Sequence, residues 1–247
     1  MNGKIWLIGL GPGHPECITP QALSAIAVSR IVIGQPEATR LVYTYLASKE
    51  VITSALSPVE RSALATARAT EGHQVGILSI GHPGIYAIAS TLLAYLRRRR
   101  LKVEVEIIPG MTLADYAAAR LGSPLGGDFA VISLADRASR WAAILNRAEK
   151  ALEADLILVI YNPLGKLGQR RIKIIMDRAR ALRGAATPVG LLTGAATPSE
   201  EMVVTTLEWL ELDDIKVDTL VIVGDSKTRL YGKKMVALRP YSARLGY

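Results

Sequence analysis

Residues 4–20 read KIWLIGLGPGHPECITP, and the order of the parts decides the fold class. The run from Lys4 to Leu10 is nearly all apolar and rich in Ile and Leu, the pattern of a strand buried on both faces. It ends in a turn built from Gly9, Gly11, Pro12 and Gly13. Thr19 then stands as a helix cap, with Pro20 in the first turn of the segment QALSAIAVS. Strand, glycine-proline turn and capped helix together open a β–α unit.

The same alternation continues outward along the chain. RIVIG (30–34), QVGILSI (74–80), VEVEIIP (103–109), FAVISL (129–134), LILVIY (156–161), PVGLL (188–192), EMVVTTL (201–207) and TLVIVG (219–224) read as further strands. Helical spacing lies between them. In SRWAAILNRAEKALEA the residues Trp141, Ile144, Leu145, Ala148 and Leu152 recur on one face. In RRIKIIMDRARALR the stripe is Ile172, Ile175, Met176, Ala179 and Leu182, with Arg171, Lys173, Arg178 and Arg180 largely elsewhere. The four arginines 97–100 close a helix that begins near Tyr86, where cations complement the helix dipole. The expectation is an α/β chain with largely parallel strands. Composition breaks at 109–128, PGMTLADYAAARLGSPLGGD, which places two α/β domains at 1–112 and 113–247. Strands bunch after Pro188 without long helices between them, so the second domain is expected to be mixed.

Composition narrows the function. The single cysteine, Cys17, excludes a disulfide within the chain and a cysteine-only metal centre. No apolar run reaches membrane-spanning length, and the start reads as a first strand rather than a signal peptide, so a reducing cytoplasm is expected. The net charge of +8 suits nucleic acid, or equally a small substrate carrying many carboxylates. Aromatic residues are not interleaved with the basic runs, which argues against a base-stacking surface. The three histidines lack metal-ligand spacing, and no metal site is expected.

Ligands of open α/β sheets bind beyond the carboxyl ends of strands. The turns so placed are GLGPGHP (9–15), IGHPGIY (80–86), PGMT (109–112), YNP (161–163) and LTGAATP (192–198). Gly9, Gly11 and Gly13 do not complete a dinucleotide fingerprint, because His14 stands where the last glycine belongs and Pro12 lacks an N–H. No P-loop and no nucleophile elbow occur. Gly-His-Pro appears twice, at 13–15 and 81–83.

Taken in order, GLGPGHPECIT, IGHPGIYAIAS, PGMT, YNP and GAATPSEE…VTTL resemble the signatures of the tetrapyrrole methylases over essentially the whole chain. GIYAIAS, DFAVISLAD, LVIYNPLGK and TLVIVGDSKTRLYGKKMV resemble the branch that methylates carbon 17 of precorrin-3B or cobalt-precorrin-3 with ring contraction, in cobalamin biosynthesis. The resemblance implies two α/β domains with S-adenosylmethionine in the cleft between them, S-adenosylhomocysteine as product, and a homodimer. It implies cofactor contacts at Pro12, Ile80, Gly81, His82, Ile85, Thr112, Leu113, Tyr161, Asn162 and Ala195. Lys166, Arg170 and Lys227 are candidate partners for substrate carboxylates. Both Gly-His-Pro turns depart from the family's usual Gly-Asp-Pro. His14 is the candidate catalytic residue, through proton handling at the substrate or an axial contact to cobalt, against the plain reading of a turn residue in solvent. Two alternatives stay open: a methylase of the pathway acting at another ring carbon, and a ribosomal RNA ribose methyltransferase of the same fold. The second should carry SDAGTP where this chain has SIGHPGIY.

Overall fold

The computed structural model describes residues 3–134, 140–161 and 165–239, without the side chains of residues 165 and 166. The chain divides into two compact units, one ending at Leu113 and one starting at Ala114.

The first unit is a parallel sheet of β1 (Lys4–Gly9), β2 (Ile31–Gly34), β3 (Glu50–Thr53), β4 (Gln74–Ser79) and β5 (Glu104–Ile108), in the order β3-β2-β4-β1-β5. Helices α1 (Pro20–Val28) and α2 (Pro36–Leu41) cover one face, and α3 (Pro58–Thr70) and α4 (Ile88–Arg99) the other. The chain leaves β1 toward β2 but leaves β4 toward β5, in opposite directions. Right-handed crossovers then put α1 and α4 on opposite faces and make a topological switch point between β1 and β4. The expected cap holds: Thr19 Oγ1 accepts from Ala22 N at 3.1 Å. Arg100 ends α4 in the left-handed region at φ +54°.

Both faces of β1 are buried, with Ile5 and Leu7 against α3 and α4 and Ile8 against α1. Each such side chain contributes about 1.5–3 kcal/mol on burial. The run VEVEIIP is different from the expectation of double burial. It is the edge strand β5, whose Glu104 and Glu106 hold Lys4 Nζ at 2.8 and 2.7 Å.

The second unit begins with α5 (Leu113–Leu121) and is mixed, as expected. Its sheet contains β7 (Phe129–Ser133), β8 (Ile157–Tyr161), β9 (Pro188–Thr193), β10 (Glu201–Thr206) and β11 (Leu220–Val223), ordered β10-β9-β11-β8-β7. Only β7 and β8 pair in parallel; β11 runs against both β8 and β9, and β10 against β9. A small sheet joins β6 (Gly122–Ser123) to the hairpin β12 (Thr228–Tyr231) and β13 (Lys234–Ala237). One face of the large sheet carries α6 (Trp141–Glu153) and α7 (Gly165–Arg183). On the other, Leu121 and Met235 close on Gly190, where an added Cβ would stand 2.9 and 3.4 Å from their side chains.

The apolar stripe of α7 buries Ile172, Ile175, Met176 and Ala179, but Leu182 is exposed, and Arg183 beside it turns inward instead to donate to Leu152 O, Leu156 O and Gly224 O. The basic back of α7 is paired rather than merely solvated: Lys173 and Arg180 meet Asp177, and Arg178 meets Glu149. Among the described residues no helix is long and apolar enough to cross a membrane.

Candidate functional site

In the first unit three of the expected turns meet at the switch point. They leave the adjacent strands β4, β1 and β5. Gly81 N donates to Gly11 O at 2.7 Å, an isolated bridge between the first two turns. Gly9 and Gly110 close the third side: a Cβ on Gly110 would lie 2.3 Å from Gly81 O, 2.8 Å from Gly9 C and 2.9 Å from Gly11 N. Gly11 and Gly81 both take φ +76°, a region that L side chains rarely enter. Backbone therefore packs on backbone here, and the turns hold one another without side chains.

This cluster presents an open, apolar rim. A Cβ on Gly81 would meet nothing within 4 Å. Ile80, Ile85 and Met111 are 41%, 44% and 41% exposed at the same strand ends. Tyr86 is held at φ +50° within the second turn. Pro12 is buried behind the rim, and Thr112 and Leu113 are half-buried at the entry to α5. Both expected histidines sit in these turns. His82 is half-buried, and its Nδ1 accepts from Gly84 N at 2.9 Å. His14 is exposed, and its Nδ1 accepts from Glu16 N at 3.3 Å. Burial, and then Glu16, push the Cys17 thiol up, which disfavours the thiolate.

In the second unit the site residues are fixed by side chains. The Tyr161 hydroxyl, at the carboxyl end of β8, accepts from Ala114 N at 2.9 Å and so satisfies an orphan amide in the first turn of α5. At the carboxyl end of the parallel-running β9, Gly194 (φ +59°) and Ala196 (φ +60°) bend the loop that carries Ala195. Glu200 holds that loop. Its carboxylate accepts from Ala196 N at 2.8 Å, the Tyr116 hydroxyl at 2.9 Å and Arg120 Nε at 2.6 Å. Burial works against the charged form of Glu200, but these hydrogen bonds and the Arg120 charge outweigh it and hold the carboxyl below its ordinary value. Thr197 Oγ1 donates to Gly194 O at 2.6 Å and closes the bend.

Glu200, Tyr116 and Arg120 escaped the sequence reading. Glu200 lies inside the quoted GAATPSEE motif, but nothing local marks it as the group on which α5 and the loop converge.

Within this unit β8 and β9 run the same way, which brings Tyr161 and Ala195 to one end of the sheet. Asn162 lies outside the described residues. Lys166 belongs to the first turn of α7, at that same end, and its side chain lies outside the description. Arg170 is exposed one turn further on. Lys227 is a correction. It follows β11, and the antiparallel register of Val223 opposite Leu158 carries the turn 225–228 to the amino end of β8. There Ser226 N donates to Asp155 Oδ1 at 2.9 Å. The full length of β8 separates Lys227 from Tyr161, so Lys227 does not join the candidate site. Among the described residues no group of three or more His, Cys, Asp or Glu is placed to hold a metal ion.

Comparison with known proteins places the whole chain in one family. The family described as Tetrapyrrole (Corrin/Porphyrin) Methylases matches residues 4–211. A protein of Salmonella typhimurium named probable cobalt-factor III C(17)-methyltransferase is 36% identical over 237 residues, covering 96% of this chain and 98% of the relative. Cobalt-factor III methyltransferase of Priestia megaterium is 35% identical over 99% of this chain, which spans 46% of that longer protein. The crystal structure of the methyltransferase CobJ superposes with a TM-score of 0.88 at 26% identity, over 96% of this chain and 100% of that one. With the family model matched over residues 4–211 and a relative 36% identical over 96% of this chain, the chain belongs to the tetrapyrrole methylases.

Proposed function

We propose that this protein transfers a methyl group from S-adenosylmethionine to carbon 17 of a cobalt-factor III or precorrin-3B type tetrapyrrole, with ring contraction, in cobalamin biosynthesis. The observation that carries this reading is the end-to-end similarity to the Salmonella relative named for carbon-17 methylation, with 36% identity over 98% of its length. The first-unit turns fit such a cofactor. The open space at Gly81 admits close backbone approach, and Ile80 and Ile85 offer apolar walls.

S-adenosylmethionine supplies a methyl group already activated on a positive sulfonium with a neutral leaving group. The protein's task is then placement and exclusion of water rather than strong acid–base chemistry. We assign cofactor contacts to Pro12, Ile80, Gly81, His82, Ile85, Thr112, Leu113, Tyr161, Asn162 and Ala195, and carboxylate contacts to Lys166 and Arg170. His14 is assigned to the substrate. The net charge of +8 favours a polyanionic ring. A homodimer in the cytoplasm completes the proposal, supported by the family resemblance and tested by the solution mass.

The decisive experiment offers labelled S-adenosylmethionine together with cobalt-factor III, metal-free precorrin-3B or ribosomal subunits. Label in a tetrapyrrole, with the added methyl located on carbon 17 by NMR, is the expected result. Label in ribosomal RNA, or on another ring carbon, overturns it.

A further inference from the structure

The two Gly-His-Pro turns are built alike. In each, the imidazole Nδ1 accepts from the backbone amide two residues on: Gly84 N to His82 at 2.9 Å, and Glu16 N to His14 at 3.3 Å. This is the contact by which an Asn or Asp side chain closes a turn on its own backbone. A backbone N–H can only donate, so Nδ1 must offer its lone pair. A neutral imidazole carries one proton, and that proton then resides on Nε2.

We infer that His14 and His82 are held as the Nε2–H tautomer, closing their turns through Nδ1 and presenting to a ligand only a hydrogen-bond donor, suited to a carboxylate oxygen. Both are positioning residues. The identity of the ligand rests on the functional reading above; the tautomer does not. The consequence for His14 is specific. With Nδ1 engaged and Nε2 protonated, neither nitrogen is free to take a proton from the substrate or to bind cobalt. Either act first requires losing the turn's hydrogen bond, whether by moving the proton to Nδ1 or by freeing the Nδ1 lone pair itself. His14 therefore serves the substrate as a donor rather than as a base or an axial ligand.

The surroundings support this. The imidazole of His82 packs closely on its own turn: a Cβ added at Gly84 would stand 3.1 Å from Cε1 and 3.3 Å from Nδ1. For His14 the charged neighbour is Glu16, whose carboxylate lies 3.8 Å from Nδ1, outside hydrogen-bond reach, on a side chain that is 89% exposed. It can draw Nδ1 away from the amide only where Nδ1 itself carries a proton.

The test uses the full chain labelled with 15N-histidine. Long-range proton–nitrogen NMR at neutral pH reads each tautomer directly, with H14N and H82N assigning the signals. Nε2–H at both positions is expected; Nδ1–H at either overturns the inference for that turn. Calorimetric binding of S-adenosylhomocysteine gives a second readout. H82L, which cannot accept from Gly84 N, is expected to bind about tenfold more weakly than the unaltered chain, the loss that goes with one hydrogen bond. H82N restores an acceptor and is expected to bind at least about threefold more tightly than H82L, a fraction of that loss. Equal binding by folded H82L and H82N overturns the positioning role. If the unaltered chain does not bind S-adenosylhomocysteine, the functional reading fails, while the NMR result still decides the tautomer.

Discussion

The two units hold their candidate ligand loops by different means. In the first, Gly9, Gly11, Gly81 and Gly110 bring three turns into backbone contact with one another, while the His14 and His82 side chains act only within their own turns. In the second, loop 194–200 and the start of α5 are held by side chains, through Glu200 and Tyr161. Packing at Gly9, Gly11 and Gly110 is rigid because a Cβ added there strikes backbone that cannot rotate away. A side-chain network is softer, and each bond in it can be removed separately.

The sharpest way to break this contrast is Gly110→Ala. Its Cβ would meet backbone atoms at 2.3, 2.8 and 2.9 Å. Unfolding in urea should show a loss of about 3 kcal/mol, at the upper end of ordinary overpacking. S-adenosylhomocysteine binding should weaken by more than about tenfold, since over 1.4 kcal/mol of the strain falls on the turns themselves. A variant as stable as the parent would mean that the turns are not locked together.

Next comes Glu200→Gln, which leaves Arg120 without its charge partner and keeps the side chain's shape. A loss of about 1–3 kcal/mol is expected. The acid response separates this from a packing effect. The folded pKa of Glu200 is depressed, so its contribution is present above the ordinary glutamate value of about 4.3. It is lost as pH falls through that value to the lower folded one. Urea midpoints of the parent should therefore drop faster below pH ~4.3 than those of the variant. Parallel curves would remove Glu200 from the account.

Gly81→Ala sharpens the first unit from within. Its Cβ enters open space, so only the positive φ opposes it, at about 1–2 kcal/mol. It should destabilise less than Gly110→Ala, and the reverse order would show that dihedral strain rather than contact dominates. Smallest is Tyr161→Phe. It orphans Ala114 N at the first turn of α5 and should cost about 1 kcal/mol, read from the melting temperature.

Much of this was legible in the chain itself. Every strand candidate is a strand, because short runs rich in Val, Ile and Leu between turn residues have few other uses, even at the sheet edges β5 and β10 where burial is incomplete. The strands β3, β6, β12 and β13 escaped notice because each is only two to four residues long and carries exposed residues, and only pairing makes them strands. The candidate turns were found because glycine and proline mark them locally. Lys227 was misplaced for the opposite reason. TLVIVG reads the same whichever way the strand runs, and its antiparallel direction sends the following turn to the far end of the sheet.

Element types, the candidate turns and the family are all written in the sequence, since these depend on residues close together in the chain. Tertiary structure decided strand direction, the meeting of Gly9, Gly81 and Gly110, and the gathering of Tyr116, Arg120 and Ala196 on Glu200. Those are contacts between segments far apart in sequence, set by sheet order and register, and no local pattern encodes them. It also showed that both Gly-His-Pro turns spend one imidazole nitrogen on their own backbone.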